Sequence, residues 1–204
     1  MKILVLDNYD SFTYNLVQYI TELTGDTPSV FRNDQISLDD VDAYDAIVLS
    51  PGPGLPNEAG IMPELIKRYA PTKYIFGVCL GMQAIGEAFG GELYNLPKVF
   101  HGVATPIQIV DNQELIFKNV PKEILVGRYH SWAVKAENLP DELKITATAD
   151  GGKTIMALSH KTYNVRGVQF HPESIMTDYG KQILKNFFQP LSQTTKSSAI
   201  EYVF

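Results

Sequence analysis

Three short runs in the first half of the chain, Ile3-Leu4-Val5-Leu6, Asp45-Ala46-Ile47-Val48-Leu49 and Tyr74-Ile75-Phe76-Gly77-Val78, are apolar, Asp45 apart, without the alternation of a half-exposed strand. A strand of that kind must be covered on both faces, which is the condition of a parallel sheet between helical layers. The segments between the runs supply the layers. Asp10 or Ser11 is placed to cap a helix with Phe12, Leu16, Ile20 and Leu23 on one face, and Gly25 ends it. Pro63 suits the first turn of a second helix, with Leu65, Ile66 and Tyr69 on one face and Pro71 beyond it. Residues 80–89 read as a third helix, closed by Gly90-Gly91, and 29–32 as one more short strand. Strand and helix alternating at this spacing predict a three-layer α/β fold: an open, mostly parallel sheet with helices on both faces.

The second half changes character. Segments 91–95, 103–110, 124–134, 144–149 and 156–159 are β-rich with few helical patterns between them, and predict antiparallel or mixed strands added to the sheet. Segment 165–170 is a last buried strand, and Tyr179, Ile183, Leu184, Phe187 and Phe188 mark a closing amphipathic helix. The polar stretch 192–198 reads as a mobile tail, so the expected organisation is one domain over 1–190 and a tail over 191–204. A chain of 204 residues holds one sizeable core rather than two. With 45% hydrophobic and 20% charged residues it is globular, no apolar run has the length of a membrane span, and the apolar N-terminal stretch is too short for a signal peptide. A net charge of −6 with scattered basic residues argues against nucleic acid as a partner. The single cysteine excludes an internal disulfide and points to the cytoplasm.

That cysteine lies in Gly77-Val78-Cys79-Leu80-Gly81, between a strand and a helix. The form is a nucleophile elbow, in which small flanking residues permit a strained turn that lifts one side chain clear of the sheet. Backbone N–H groups at the following helix start favour a thiolate there. The plain alternative is a small buried hydrophobe, and the flanking glycines count against it. A base for the thiol is available in Gly167-Val168-Gln169-Phe170-His171-Pro172-Glu173-Ser174. Pro172 biases His171 to extended backbone, so that Glu173, two residues on, points to the same side and can orient the imidazole. The alternative is a core histidine and a capping carboxylate. In Ser50-Pro51-Gly52-Pro53-Gly54 the prolines stiffen a loop, and the N–H of Gly52 could join that of Leu80 in an oxyanion hole. Taken alone that loop is equally a tight turn with no ligand. Together the three elements read as acyl transfer through a thioester. His101, His130, His160 and His171 show no metal-ligand spacing with each other or with Cys79, so no metal is expected, and His160 reads as solvated. No phosphate-binding glycine motif is present, so no nucleotide cofactor is expected either.

These motifs resemble the class I (triad) glutamine amidotransferases, and more narrowly the small subunits of anthranilate synthase and aminodeoxychorismate synthase. The resemblance spans residues 1–190 and rests on Asp7-Asn8-Tyr9-Asp10-Ser11-Phe12-Thr13-Tyr14-Asn15-Leu16, the loop 50–54, Gly77-Val78-Cys79-Leu80-Gly81-Met82-Gln83, Arg128-Tyr129-His130-Ser131 and the His171 segment. It implies Cys79 as nucleophile, His171 as base and then acid, Glu173 as its orienting group, and Gly52 and Leu80 as oxyanion donors. It implies that L-glutamine is held by Gly52, Pro53 and Gly54, by the Gln83 side chain, and by the backbone at Ser131 and Trp132. Trp132 stands where the family more usually has leucine, which bears on the shape of the pocket wall. The resemblance further implies that ammonia passes to a chorismate-binding large subunit (component I), that anthranilate for tryptophan biosynthesis or aminodeoxychorismate for folate is the product, and that Mg²⁺ belongs to that partner, this chain needing no cofactor. Tyr9, Phe12 and Tyr14, crowded into one turn, suggest part of a subunit interface, with core packing as the alternative. Two competing readings remain: a solitary cysteine hydrolase or peptidase, active without a partner, and a non-catalytic subunit indifferent to loss of the thiol.

Overall fold

The computed structural model describes residues 1–198, the side chains through 192. Five parallel strands form the heart of the sheet: β1 (Ile3–Asp7), β2 (Ser29–Arg32), β3 (Ala46–Leu49), β4 (Tyr74–Val78) and, late in the chain, β11 (Val165–Val168). Four strands extend it with antiparallel neighbours: β6 (Val103–Ile109), β7 (Glu123–Arg128), β9 (Leu143–Ala149) and β10 (Thr154–His160), in the order β2-β1-β3-β4-β11-β10-β9-β6-β7. The mixed sheet is the one expected from the sequence.

The uncharged runs alternate between two cores. Ile3, Val5, Ala46, Val48, Phe76 and Val78 face one layer, built by α1 (Thr13–Thr24) and α4 (Gly180–Ser198) through Leu16, Ile20, Ile183, Leu184 and Phe187. Leu4, Leu6, Ile47, Leu49 and Ile75 face the other, built by α2 (Met62–Tyr69) and α3 (Leu80–Ala88) through Met62, Leu65, Ile66, Met82 and Ile85. Packing rather than capping holds α1. It has no side-chain cap bond, no acidic residue in its first turn and no basic residue in its last, whereas a fully buried Leu or Ile contributes about 1.5–3 kcal/mol. Gly25 ends it as expected, in a left-handed conformation with its N–H on the Thr21 carbonyl.

Three features differ from the sequence reading. The run 124–134 is not one strand. It breaks at Tyr129-His130-Ser131, and β8 (Trp132–Val134) leaves the main sheet to pair with β5 (Leu93–Asn95) in a sheet of two strands. His160 is buried rather than solvated: it stacks on Tyr163 at 4.3 Å, packs on Phe89 at 4.7 Å, and its Nδ1 accepts the N–H groups of Thr162 and Tyr163. The described part of the expected tail is helical, since α4 continues through Pro190 to Ser198; residues 199–204 lie outside the described residues.

Register sets the position of the site. Leu6 pairs with Leu49, Leu49 with Gly77, and Gly77 with Gly167. The loops after β1, β3, β4 and β11 therefore leave the sheet at one carboxyl edge, where open α/β sheets place their ligands.

Candidate active site

Cys79 occupies the turn from β4 into α3 with φ 52° and ψ −101°, a conformation L residues rarely adopt. Its neighbours explain how the turn is enforced. A Cβ on Gly77 would stand 2.5 Å from the Gly81 carbonyl carbon, and one on Gly81 would stand 2.6 Å from the Leu49 carbonyl oxygen. Only hydrogen at both positions lets α3 begin this close to the sheet. The Cys79 N–H donates to the Val168 carbonyl at 2.8 Å, and its own carbonyl accepts from the Gln83 N–H at 3.0 Å, which pins the turn from both sides. The sulfur is nearly enclosed, and the Gln169 side-chain amide donates to it at 3.5 Å.

His171 follows β11 by three residues. Its N–H donates to the Gly127 carbonyl at 3.1 Å and its carbonyl accepts from the Thr177 hydroxyl at 2.6 Å, so the backbone is held on the β7 side. Nδ1–H donates to Glu173 Oε1 at 2.7 Å, both side chains being buried. Among the described residues, Nε2 has no hydrogen-bond partner. Tyr129 and Phe12 close over the ring at 4.7 and 5.8 Å between centroids. Burial pulls the imidazole pKa down, but the nearby Cys79 and the hydrogen bond and charge of Glu173 outweigh it and push it up to about 10. The ring therefore favours its protonated form beside the cysteine, the arrangement in which a histidine serves a cysteine nucleophile.

The loop 50–54 completes the wall. Asn8 ties it to β1: its N–H and side-chain amide donate to Ser50 Oγ and the Ser50 carbonyl, each at 2.8 Å. Gly52 lies so close that a Cβ there would meet the Asn8 carbonyl oxygen at 2.5 Å and the Leu80 side chain at 3.0 Å. Gly52 and Leu80, singled out as backbone donors, are thus adjacent. A cavity of about 490 Å³ opens over Gly52, lined also by Asp10, Pro53, Cys79, Tyr129 and His171. Its size is that of an ordinary small-molecule pocket. Gly54 sits at φ 77° at the far end of the loop, beside the Glu58 carboxylate.

The sequence profile of the family described as glutamine amidotransferase class-I matches residues 4–191. The chain belongs to the class I glutamine amidotransferases. It is 49% identical over 193 residues to anthranilate synthase component 2 of Thermus thermophilus, covering 93% of this chain and 92% of that one. It is 46% identical over 189 residues to aminodeoxychorismate/anthranilate synthase component 2 of Bacillus subtilis, covering 92% and 95%. A crystal structure of a Thermoplasma acidophilum protein described as a GMP synthase subunit superposes with a TM-score of 0.84 at 28% identity, covering 98% of both chains. As a class I amidotransferase this chain has its elbow, histidine segment and stiff loop where the sequence placed them.

Of the remaining expected site residues, Gln83 and Trp132 are linked to the cysteine through Gln169. The two N–H groups of the Gln83 amide are both engaged, one on the Trp132 carbonyl at 2.9 Å and the other on Gln169 Oε1 at 3.2 Å. Only its oxygen is left to offer a ligand. The Ser131 carbonyl faces β5, accepting from the Leu96 N–H at 2.7 Å and the Asn95 side-chain amide at 3.3 Å. Gln169 is the residue the sequence reading passed over. Its signal was present: a fully buried amide in an apolar strand end demands partners, and here they are Gln83 and Cys79. Asp10 lines the cavity too, its pKa raised chiefly by burial. Among the described residues no group of three His, Cys, Asp or Glu side chains is placed to hold a metal ion, and no helix is long and apolar enough to cross a membrane.

Proposed function

We propose that this chain is the glutaminase subunit of a chorismate-using synthase, hydrolysing L-glutamine at Cys79 and delivering ammonia to a separate chorismate-binding large subunit that makes anthranilate. The observation that carries the reading is the buried Cys79–His171–Glu173 set, with Cys79 and His171 lining one cavity together with Gly52, and Leu80 adjacent to Gly52. Residues 1–190 are taken as the amidotransferase domain and 191–204 as an appendage to it.

The chemistry runs through this chain's own groups. The Cys79 thiolate adds to the side-chain carbonyl carbon of glutamine, and the oxyanion formed is met by the Gly52 and Leu80 N–H groups. His171 gives its Nε2 proton to the departing nitrogen, ammonia leaves, and a glutamyl thioester remains. His171 then takes a proton from water as the hydroxyl oxygen attacks the thioester; glutamate departs and the thiolate is restored. Glu173 keeps the proton on Nδ1 and stabilises the cation. Gly52, Pro53 and Gly54 form the wall against which glutamine lies, with Gln83 and the Ser131–Trp132 backbone behind it. No step draws on a cofactor in this chain, and chorismate with its Mg²⁺ is assigned to the partner. The cytoplasm suits a free reactive thiol, because a reducing compartment keeps it reduced.

A second product is favoured by one observation: the Bacillus subtilis relative carries the names of both synthases. The test pairs this chain separately with the large component of an anthranilate synthase and with that of an aminodeoxychorismate synthase, supplies chorismate, Mg²⁺ and glutamine, and follows anthranilate by fluorescence and aminodeoxychorismate by mass. Anthranilate with the first partner supports the main reading, and products with both make this a shared subunit. Glutamine left intact in both mixtures returns the chain to the solitary hydrolase.

A further inference from the structure

His130 lies in the segment that breaks away from β7, carries no assigned role, and is buried. Its ring nitrogens have different partners. Arg128 Nε, which can only donate, points at His130 Nε2 from 3.1 Å. Nε2 must therefore be bare, and the ring's proton must sit on Nδ1. Nδ1 faces the Trp132 carbonyl at 2.8 Å. That carbonyl also takes the Gln83 amide at 2.9 Å, so both of its lone pairs are filled from the protein side. The second N–H of Gln83 then orients Gln169, whose amide reaches the Cys79 sulfur.

The group that fixes this tautomer is costly. Arg128 is fully buried, lies on the Phe100 ring at 3.5 Å, is neutralised by Asp150 at 3.1 Å, and leaves Nη2 without a partner among the described residues. A buried ion pair gives little stability over a packed apolar substitute, so structure alone offers a poor reason for the arrangement. A cation at this distance also keeps a second proton off His130, whose pKa lies at about 4, lowered first by burial and then by Arg128 against the pull of the Trp132 carbonyl.

Resting on the glutaminase reading, we propose that His130 is a positioning residue: held as the neutral Nδ1–H tautomer by Arg128, it fixes the Trp132 carbonyl and through it the Gln83 amide that seats glutamine beside Cys79. It touches neither substrate nor sulfur.

Two reagents separate seat from nucleophile in the full chain. The diazoketone analogue of glutamine alkylates Cys79 only when its amino-acid part is seated; iodoacetamide needs only the thiolate. His130→Gln removes the donor at the Nδ1 position, and His130→Asn restores a donor there. The expected result is a loss of about tenfold or more in the diazoketone rate of His130→Gln, with the iodoacetamide rate within about twofold of native and the diazoketone rate recovered in His130→Asn. Native rates for His130→Gln with both reagents, parallel loss with both, or an Asn variant as slow as the Gln variant would each overturn the assignment. A native chain that prefers neither reagent overturns the glutaminase reading itself, and this inference with it. On the native chain, ¹⁵N spectra of the ring should show Nδ1 protonated and Nε2 bare near neutral pH; the opposite tautomer removes the premise irrespective of how any variant folds.

Discussion

Replacing Cys79 by glycine should leave a more stable protein than replacing it by alanine, a reversal of the usual order. Both variants lack the thiol and the bond from Gln169, so they differ only in the Cβ. At an ordinary position glycine is the less stable by about 0.5–1 kcal/mol, because its unfolded chain is freer. At Cys79 the backbone stands at φ 52°, ψ −101°, where a non-glycine residue carries on the order of 1–3 kcal/mol of strain. The turn cannot relax that strain, since Gly77 and Gly81 are already in contact and the Cys79 N–H is anchored on Val168. Taking about 2 kcal/mol for the strain and about 0.75 for the entropy leaves Cys79→Gly ahead by roughly 1 kcal/mol. Urea unfolding of the two variants at neutral pH, with equal slopes, reads this as a higher midpoint for glycine. An alanine variant ahead by the ordinary margin would show that the elbow stores no strain.

Gly81→Ala places a Cβ 2.6 Å from the Leu49 carbonyl oxygen, and should cost about 1–3 kcal/mol in denaturation as α3 is pushed off the sheet; a change below about 0.5 kcal/mol would mean the contact is loose. His130, with its pKa down at about 4 from its ordinary 6.5, resists protonation in the folded state, so the unfolded chain takes up the proton first and stability falls as pH drops from 6.5 towards 4. That group's share is about 3 kcal/mol, and among its charged neighbours Arg128 and His171 oppose a second proton there while Asp150 favours one. Unfolding free energies of native and His130→Asn protein should therefore converge by about that amount between pH 7 and pH 4, and a constant gap would contradict the depressed pKa. Tyr14 is 69% exposed, so Tyr14→Ala should change stability by under about 0.5 kcal/mol while weakening binding of the large subunit; unchanged affinity would return Tyr14 to the solvated surface.

The parts legible in the sequence were those where one local rule dominates. Ile3 to Leu6 and Ala46 to Leu49 could only be strands buried on both faces, and they divide between two cores as such strands must. The glycines around Cys79 could be read as an elbow because no other residue fits there. What stayed hidden depends on tertiary partners. Nothing in Tyr129-His130-Ser131 breaks a strand by propensity; the chain turns there because β8 finds β5 and its carbonyls find Leu96, Gln83 and His130. His160, beside Lys161, carries no mark of burial, and only the packing of Phe89 and Tyr163 makes it part of the interior. Gln169 was visible as a polar residue in an apolar strand end, but which atoms it would satisfy is a property of the fold.

The most direct test of the central claim is product formation by the assembled synthase carrying Cys79→Ser. Chorismate conversion is followed once with glutamine and once with ammonium salt at alkaline pH. The account predicts no product from glutamine and native rates from ammonia, because the thiol releases ammonia and does nothing else for the partner. Glutamine-dependent product at the native rate would contradict it outright, since Cys79 would then not be the nucleophile.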